Sequence, residues 1–233
     1  LFAKAGQFTL MPVGTLTIIL QRVFYPFLAK FQNDNEKLYS LNLRYTKLTA
    51  MLVFPLFFAL CIFSGPIVHV LLSDKWRALI PVMQISALAY IFYPLVNINM
   101  YIFQTKGDTS LFLKVEILVK VMGIVILFIT LPFGIISICF GLLVQMLLQY
   151  IITSIMAYNK ISKSVWPQFF MIFKLLFPVS LISGIVYFII SKMSNPFSQF
   201  TVGVSIYLLL CCTYFLITEK EELKPLLKFI KKK

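Results

Sequence analysis

Ionisable residues are scarce in this sequence, and acidic ones are scarcest. Asp and Glu together number 8 against 21 Lys and Arg, and His69 is the single histidine. Charged residues make up 12% of the chain, where soluble domains carry about 25%. With so little polar surface available to cover a core, a mean hydropathy of +0.93 excludes a water-soluble globule. Cys61, Cys139, Cys211 and Cys212 all fall in apolar runs without CxxC or Cys/His spacing, so they read as small packing residues rather than disulfides or metal ligands. His69 has no cysteine or second histidine beside it, only Asp74 a short way on, and no metal site is expected. A Walker A motif is lacking, which excludes an ATPase in this chain. Long extramembrane loops and a placed His/Arg/Asp set are lacking too, against a membrane enzyme such as a polysaccharide polymerase or an O-acyltransferase. Neither a signal peptide nor a catalytic constellation is visible.

What the sequence has is apolar length. About 20 apolar helical residues cross a bilayer, and windows of that kind run over residues 48–72, 79–104, 111–133, 137–157, 170–191 and 199–217, preceded by a more polar segment at 1–28. Barrel-type alternation is absent, so the fold class is all-α: an integral membrane protein of about seven transmembrane helices, with a basic tail at 218–233. Because the chain starts at Leu1 inside an apolar stretch, it is expected to be the C-terminal part of a longer protein. Residues 33–48, with Leu38, Leu41, Tyr45 and Leu48 at helical spacing and Asn33 or Asp34 placed to cap, read as either an interfacial helix or a solvated connector. The tail reads as interfacial.

The net charge of +13 would suggest nucleic acid in a soluble protein, but no arginine–aromatic surface or nucleic-acid motif accompanies it. Cationic residues instead segregate by loop. On the side of the tail stand Lys30, Lys37, Arg44, Lys47, Lys106, Lys160, Lys163 and six tail lysines; on the other stand Lys75, Arg77 and Lys192. The positive-inside rule puts the C-terminus in the cytosol, where the lysines meet anionic membrane lipids.

Charge inside a span is costly and points to a cavity or a partner. Counted from the start of its span at 1.5 Å per residue, Lys114 lies about 5 Å in and can snorkel out, whereas Lys120 lies about 14 Å in and cannot do so easily. Glu116 and Lys120 are four apart, with the acid first, which is the favourable order for an ion pair; Gly123 continues their face. The pair either neutralises itself between helices or forms the charged wall of an aqueous cavity. Further polar stripes recur at helical spacing: Gln145, Gln149 and Thr153; Asn97, Tyr101 and Gln104 after Pro94; Ser180, Ser183 and Tyr187 after Pro178; and Lys4 with Gln7 above Pro12. Each alone is compatible with interhelical bonding, and together they suggest a water-filled interior. The candidate path residues are Lys4, Gln7, Asn97, Tyr101, Gln104, Glu116, Lys120, Gln145 and Gln149. Pro12, Pro55, Pro94 and Pro178 can bend the helices that carry or adjoin these stripes.

Three stretches resemble a known family. "ILQRVFYPFLAKFQNDNEKL" (19–38) resembles the span end and acidic cytosolic loop of polysaccharide flippases, "FPLFFALCIFSGPIVHVLLSDKW" (54–76) their next span, and "QTKGDT" (104–109) a later cytosolic turn. Ser73–Asp74 stands where the family often has a glycine before the lysine–tryptophan pair, which bears on the subfamily. The likeness covers most of residues 1–160 and is to Wzx-type O-antigen and exopolysaccharide transporters of the multidrug/oligosaccharidyl-lipid/polysaccharide exporter superfamily. It implies a two-bundle transporter of 12–14 helices, of which this chain would be the C-terminal bundle. It also implies a bacterial inner-membrane location and transport of an undecaprenyl-diphosphate-linked oligosaccharide by alternating access. No cofactor or catalytic residue is implied; a proton or sodium ion is the candidate coupling ion, and polysaccharide polymerase and glycosyltransferases are the candidate protein partners. On this resemblance Lys120 and Lys4 would attract phosphates and the amides would bind sugar hydroxyls. The alternatives are a drug/cation antiporter or peptidoglycan-precursor flippase of the same superfamily, or a non-catalytic scaffold of glycan assembly.

Overall fold

The structure, a computed structural model, describes residues 2–72, 74–193 and 195–220, with the backbone alone for residues 2–5 and 74. Among the described residues the regular structure is helical: α1 (Phe2–Ala29), α2 (Asn35–Ile62), α3 (Ser64–Leu71), α4 (Leu79–Tyr90), α5 (Tyr93–Thr105), α6 (Thr109–Thr130), α7 (Ile135–Lys160), α8 (Trp166–Ser191) and α9 (Pro196–Thr218). The turn Asp74–Trp76 and the turn Leu131–Phe133 are 3-10 helical. Six helical segments, with α4–α5 taken as one, are long and apolar enough to cross a membrane. The seventh expected span, α6, has 22 residues but carries Lys114, Glu116 and Lys120 within its first twelve.

Chain ends and breaks follow local chemistry. Asp34 caps α2 by accepting from the Lys37 backbone N–H at 3.0 Å, Asp108 caps α6 through Leu111 N–H at 3.0 Å, and Asn195 caps α9 through Phe197 N–H at 3.0 Å. The expected span at 48–72 is corrected in two ways. Its helix begins at Asn35, so residues 35–48 are the first half of α2 and not a separate helix or connector: Leu38, Asn42 and Thr46, at steps of four, are fully buried. The span also breaks at Phe63, just before Gly65–Pro66, because Pro66 has no N–H to offer the preceding turn. The span at 79–104 breaks likewise at residues 91–92, ahead of Pro94. Pro178 leaves α8 unbroken; the Lys174 carbonyl, which Pro178 cannot serve, accepts instead from the Tyr214 hydroxyl of α9 at 3.4 Å. The tail beyond residue 220 lies outside the described residues.

The α4–α5 pair is the axis of the bundle, packed by α1, α2 and α7; α6 leans on α5 and α7, α8 on α2, and α9 on α8 and α3. Phe24 of α1 stacks on Tyr45 of α2 with ring centres 4.1 Å apart. The main core runs through all the axial helices, including Leu28, Leu38, Phe54, Phe57, Leu95 and Phe103.

At the tail side of the bundle the short connections are tied together by charge. Lys163 pairs with Glu36, Lys160 with Asp108, and Lys47 with Glu219 at 2.5 Å, while Lys106 Nζ donates to the Gln32 carbonyl at 2.6 Å. Two of these connections are built on the same helix stop. After α5, Gly107 takes φ +65°, its N–H donates to Gln104 O, and Asp108 N–H reaches back to Phe103 O. After α7, Ser162 takes φ +56°, with Ser162 N–H on Asn159 O and Lys163 N–H on Tyr158 O.

Candidate functional site

A cavity of about 220 Å³ lies in front of α5, between α1 on one side and α6 and α7 on the other. Its wall is assembled by helical periodicity: Asn97, Tyr101 and Gln104 from one face of α5, Glu116 and Lys120 from α6, and Gln145 and Gln149 from α7. Seven of the nine sequence-derived residues therefore meet around one space. Gln7 does not; it lies with Gly6, Leu10 and Met11 in a separate recess on α1. Of Lys4 only the backbone, within α1, is described, and its side chain falls outside the described residues. The Ser180, Ser183 and Tyr187 stripe borders a different groove of about 470 Å³ between α2, α4, α7 and α8, with Phe58 and Phe140.

Gln21 and Tyr93 also line the cavity and were missed from sequence. Gln21 stands 14 residues after Gln7, close to four helical turns, so continuing the α1 stripe would have found it. Arg22 and Lys174, also within spans, are exposed and do not line it.

The polar groups here are notably short of protein partners. Among the described residues Glu116 and Lys120 form no ion pair with each other or with anything else, so of the two readings of this pair the self-neutralising one does not hold; both residues line the cavity. The Tyr101 residue is only 3% exposed, yet its hydroxyl has no hydrogen-bond partner. Asn97 donates to the Tyr93 carbonyl one turn back at 2.8 Å. Gly123 lets Gln145 lie flat against α6, since a Cβ at that position would overlap the Gln145 carboxamide. The result is a lining of carboxamides and phenols around one cation and one anion, chemistry that suits a ligand with both hydroxyls and negative charge.

A second polar cluster was not anticipated. Asn99, on the opposite side of α5 from Asn97 and Tyr101, donates to Ser154 Oγ at 2.9 Å and accepts from Gln168 Nε2 at 3.0 Å. Tyr158 OH donates to Asn42 Oδ1 at 2.8 Å, and Asn42 Nδ2 to the Ile98 carbonyl at 3.2 Å. These five side chains are fully buried and join α2, α5, α7 and α8.

Comparison with known proteins agrees with this architecture. Residues 1–81 match the family described as "Polysaccharide biosynthesis protein". The teichuronic acid biosynthesis protein TuaB of Bacillus subtilis (strain 168) is 29% identical over 111 residues, covering 48% of this chain and 23% of that one. The lipopolysaccharide biosynthesis protein WzxC of Escherichia coli (strain K12) is 31% identical over 81 residues, 35% of this chain and 16% of that one. In structure, the lipid II flippase MurJ in an inward closed conformation superposes with a TM-score of 0.69 and 18% identity over 92% of this chain and 46% of its own. The chain thus spans less than half of the flippase and under a quarter of the two curated relatives. The fold over that length is the one seen in this flippase. Family likeness in residues 1–81, relatives in glycan biosynthesis and a flippase fold over nearly the whole chain together bear out the resemblance to Wzx-type polysaccharide flippases.

Proposed function

We propose that this chain forms part of a transporter that moves a lipid-linked glycan across the bacterial inner membrane, with the cavity between α1, α5, α6 and α7 as a stretch of its polar path. The observation that carries the reading is the unpaired Lys120 facing a cavity rich in carboxamides, about 17 Å along α6 from Thr109. A free ammonium at that depth is unfavourable in lipid and becomes favourable when an anionic group enters. The diphosphate of an undecaprenyl-linked oligosaccharide supplies such a group, and Gln21, Asn97, Gln104, Gln145 and Gln149 offer donors and acceptors to sugar hydroxyls. Glu116, unpaired in the same space, is the group to exchange a coupling proton or sodium ion.

In this reading the tail side is cytosolic, and its lysines contact anionic lipids. Glycosyltransferases would then deliver the substrate from that side and a polymerase receive it on the other. Transport in proteoliposomes with a fluorescent lipid-linked oligosaccharide tests the cavity. Lys120→Ala should lower the rate at least tenfold and Lys120→Arg should keep part of it, with both variants monodisperse on gel filtration. Wild-type transport by Lys120→Ala would remove the reading.

A further inference from the structure

The polar cavity continues into a second recess of different chemistry. Along α6, Glu116, Lys120, Gly123, Leu127 and Thr130 follow at steps of four, three, four and three, so they share one face. Beside it α7 runs antiparallel, with Gln149, Gln145, Leu142 and Ile138 at steps of four, three and four. The charged and amide members line the cavity. Past them, toward the end of the bundle away from the tail, a crevice of about 180 Å³ opens between Ile126, Leu127, Ile138 and Leu142. Among the described residues Gln145 is the one side chain that borders both spaces.

Two details shape the crevice and keep it apolar. Gly141 lets the Thr130 and Ile126 methyls of α6 close down on α7, where a Cβ would stand 2.9 Å from Thr130 Cγ2 and 3.0 Å from Ile126 Cγ2. The Thr130 hydroxyl is turned back onto the Ile126 carbonyl at 2.9 Å, so it is already satisfied within its own helix. Apolar spaces of roughly 150 Å³ stay dry and bind a group the size of benzene, and an isoprene unit has one carbon fewer. The Gln145 carboxamide, placed at the boundary, makes no hydrogen bond among the described residues.

We propose that this crevice holds the first isoprene-sized segment of the apolar chain of a lipid-linked ligand whose anionic head occupies the cavity, with Gln145 at the junction of head and chain. The proposal rests on the cavity reading above and adds to it where the chain lies: between α6 and α7, and not across the outward faces of those helices. An ordinary membrane lipid offers the same apolar chemistry, but its chain would enter without a head in the cavity, so the two sources separate by competition.

The test uses the protein in lipid nanodiscs with a polyprenyl diphosphate carrying a diazirine on its first isoprene unit, irradiated and mapped by mass spectrometry. The label is expected on Ile126, Leu127, Ile138 or Leu142, lowered at least fivefold by excess inorganic diphosphate and lost in Leu142→Trp, which fills the crevice. Leu142→Ala, which enlarges it, should keep the label and guards against a misfolded tryptophan variant. Label confined to the outward-facing Phe128 and Phe140 would overturn the proposal, as would crevice label that diphosphate leaves unchanged, the mark of a bulk lipid chain. Should Lys120→Ala abolish transport while Leu142→Trp keeps both label and transport, the crevice assignment falls and the cavity reading stands. Should Lys120→Ala transport normally, the cavity reading falls, and the crevice assignment falls with it.

Discussion

Helix α5 has one face in each of two polar regions, and they are built on opposite terms. On one face Asn97, Tyr101 and Gln104 border a cavity in which a buried phenol, an ammonium and a carboxylate lack partners among the described residues. On the other, Asn99 both donates and accepts, and the groups around it bond to one another across four helices, with Gln168 Oε1 the exception that lacks a partner. A membrane interior offers no water to polar groups left over, so each must find a partner in the protein, in a wet cavity or in a ligand. Satisfied groups hold helices together, and here Asn99 of α5 bridges Ser154 of α7 and Gln168 of α8.

The largest expected effect separates the regions by what is lost. Asn99→Leu removes two side-chain bonds at once, leaving Ser154 Oγ only its bond to the Tyr150 carbonyl and Gln168 Nε2 only its longer one to Thr46 Oγ1 at 3.4 Å. A loss of about 1–3 kcal/mol in folding stability is expected. Thermal unfolding in detergent would read it as a lowered midpoint, and transport per folded molecule should stay near wild type. The matching change across α5, Asn97→Leu, breaks only a bond to its own helix, so the midpoint should hold while transport falls.

A smaller, cleaner contrast uses one substitution in both places. Tyr158→Phe deletes a hydroxyl that donates to Asn42 Oδ1, and interhelical bonds of this kind contribute about 0.6 kcal/mol on average and about 1.7 at most. Tyr101→Phe deletes a hydroxyl with no partner, so stability should be unchanged or slightly raised. Transport should follow the reverse order, with Tyr101→Phe the more impaired. Equal destabilisation by both would erase the distinction drawn between the regions.

The same contrast explains which features could be read in the sequence. A cavity lining repeats along each helix that borders it, so Asn97–Tyr101–Gln104, Glu116–Lys120 and Gln145–Gln149 announce themselves by spacing, and all seven residues meet. Asn99 and Gln168 of the buried network are single polar residues on otherwise apolar faces, and no periodicity betrays them. In α2 the pattern misled: Leu38, Leu41, Tyr45 and Leu48 suggest an amphipathic surface helix, while the buried row is Leu38, Asn42 and Thr46, two of them polar. Hydrophobic periodicity finds faces that avoid water, and it cannot find a face whose polar groups are answered by a distant helix. The breaks at Phe63 and at residues 91–92 trace to Pro66 and Pro94, while Pro12, Pro26, Pro55 and Pro178 leave their helices continuous, so proline alone does not decide.

A weaker effect belongs to the charged ties at the tail side, which lie in water and are screened there. The Lys160 ammonium, then the Leu111 backbone N–H, hold the Asp108 carboxyl below the usual carboxylate range. A carboxyl whose folded pKa is depressed stabilises the fold above its unfolded value, about pH 3.9, and that stabilisation is lost as pH falls through the lower, folded value. The unfolding midpoint should therefore drop in that acidic window. Asp108→Asn should flatten this part of the profile and leave the midpoint at pH 7 only slightly lower.

The smallest effect concerns the two matching helix stops. Gly107 and Ser162 hold the same left-handed position after α5 and α7, yet only the first is glycine. A side chain at positive φ costs about 1 kcal/mol, and glycine gives part of this back through the greater freedom of its unfolded chain. Ser162→Gly should therefore raise stability by roughly 0.5 kcal/mol, while Gly107→Ser should lower it by a similar amount. Ser162 makes no side-chain bond among the described residues that the substitution would sacrifice. Transport is expected to be unaffected in either case, because neither Gly107 nor Ser162 lines the cavity, and Gly107 meets the lining only through its N–H bond to the Gln104 backbone carbonyl, which the substitution keeps.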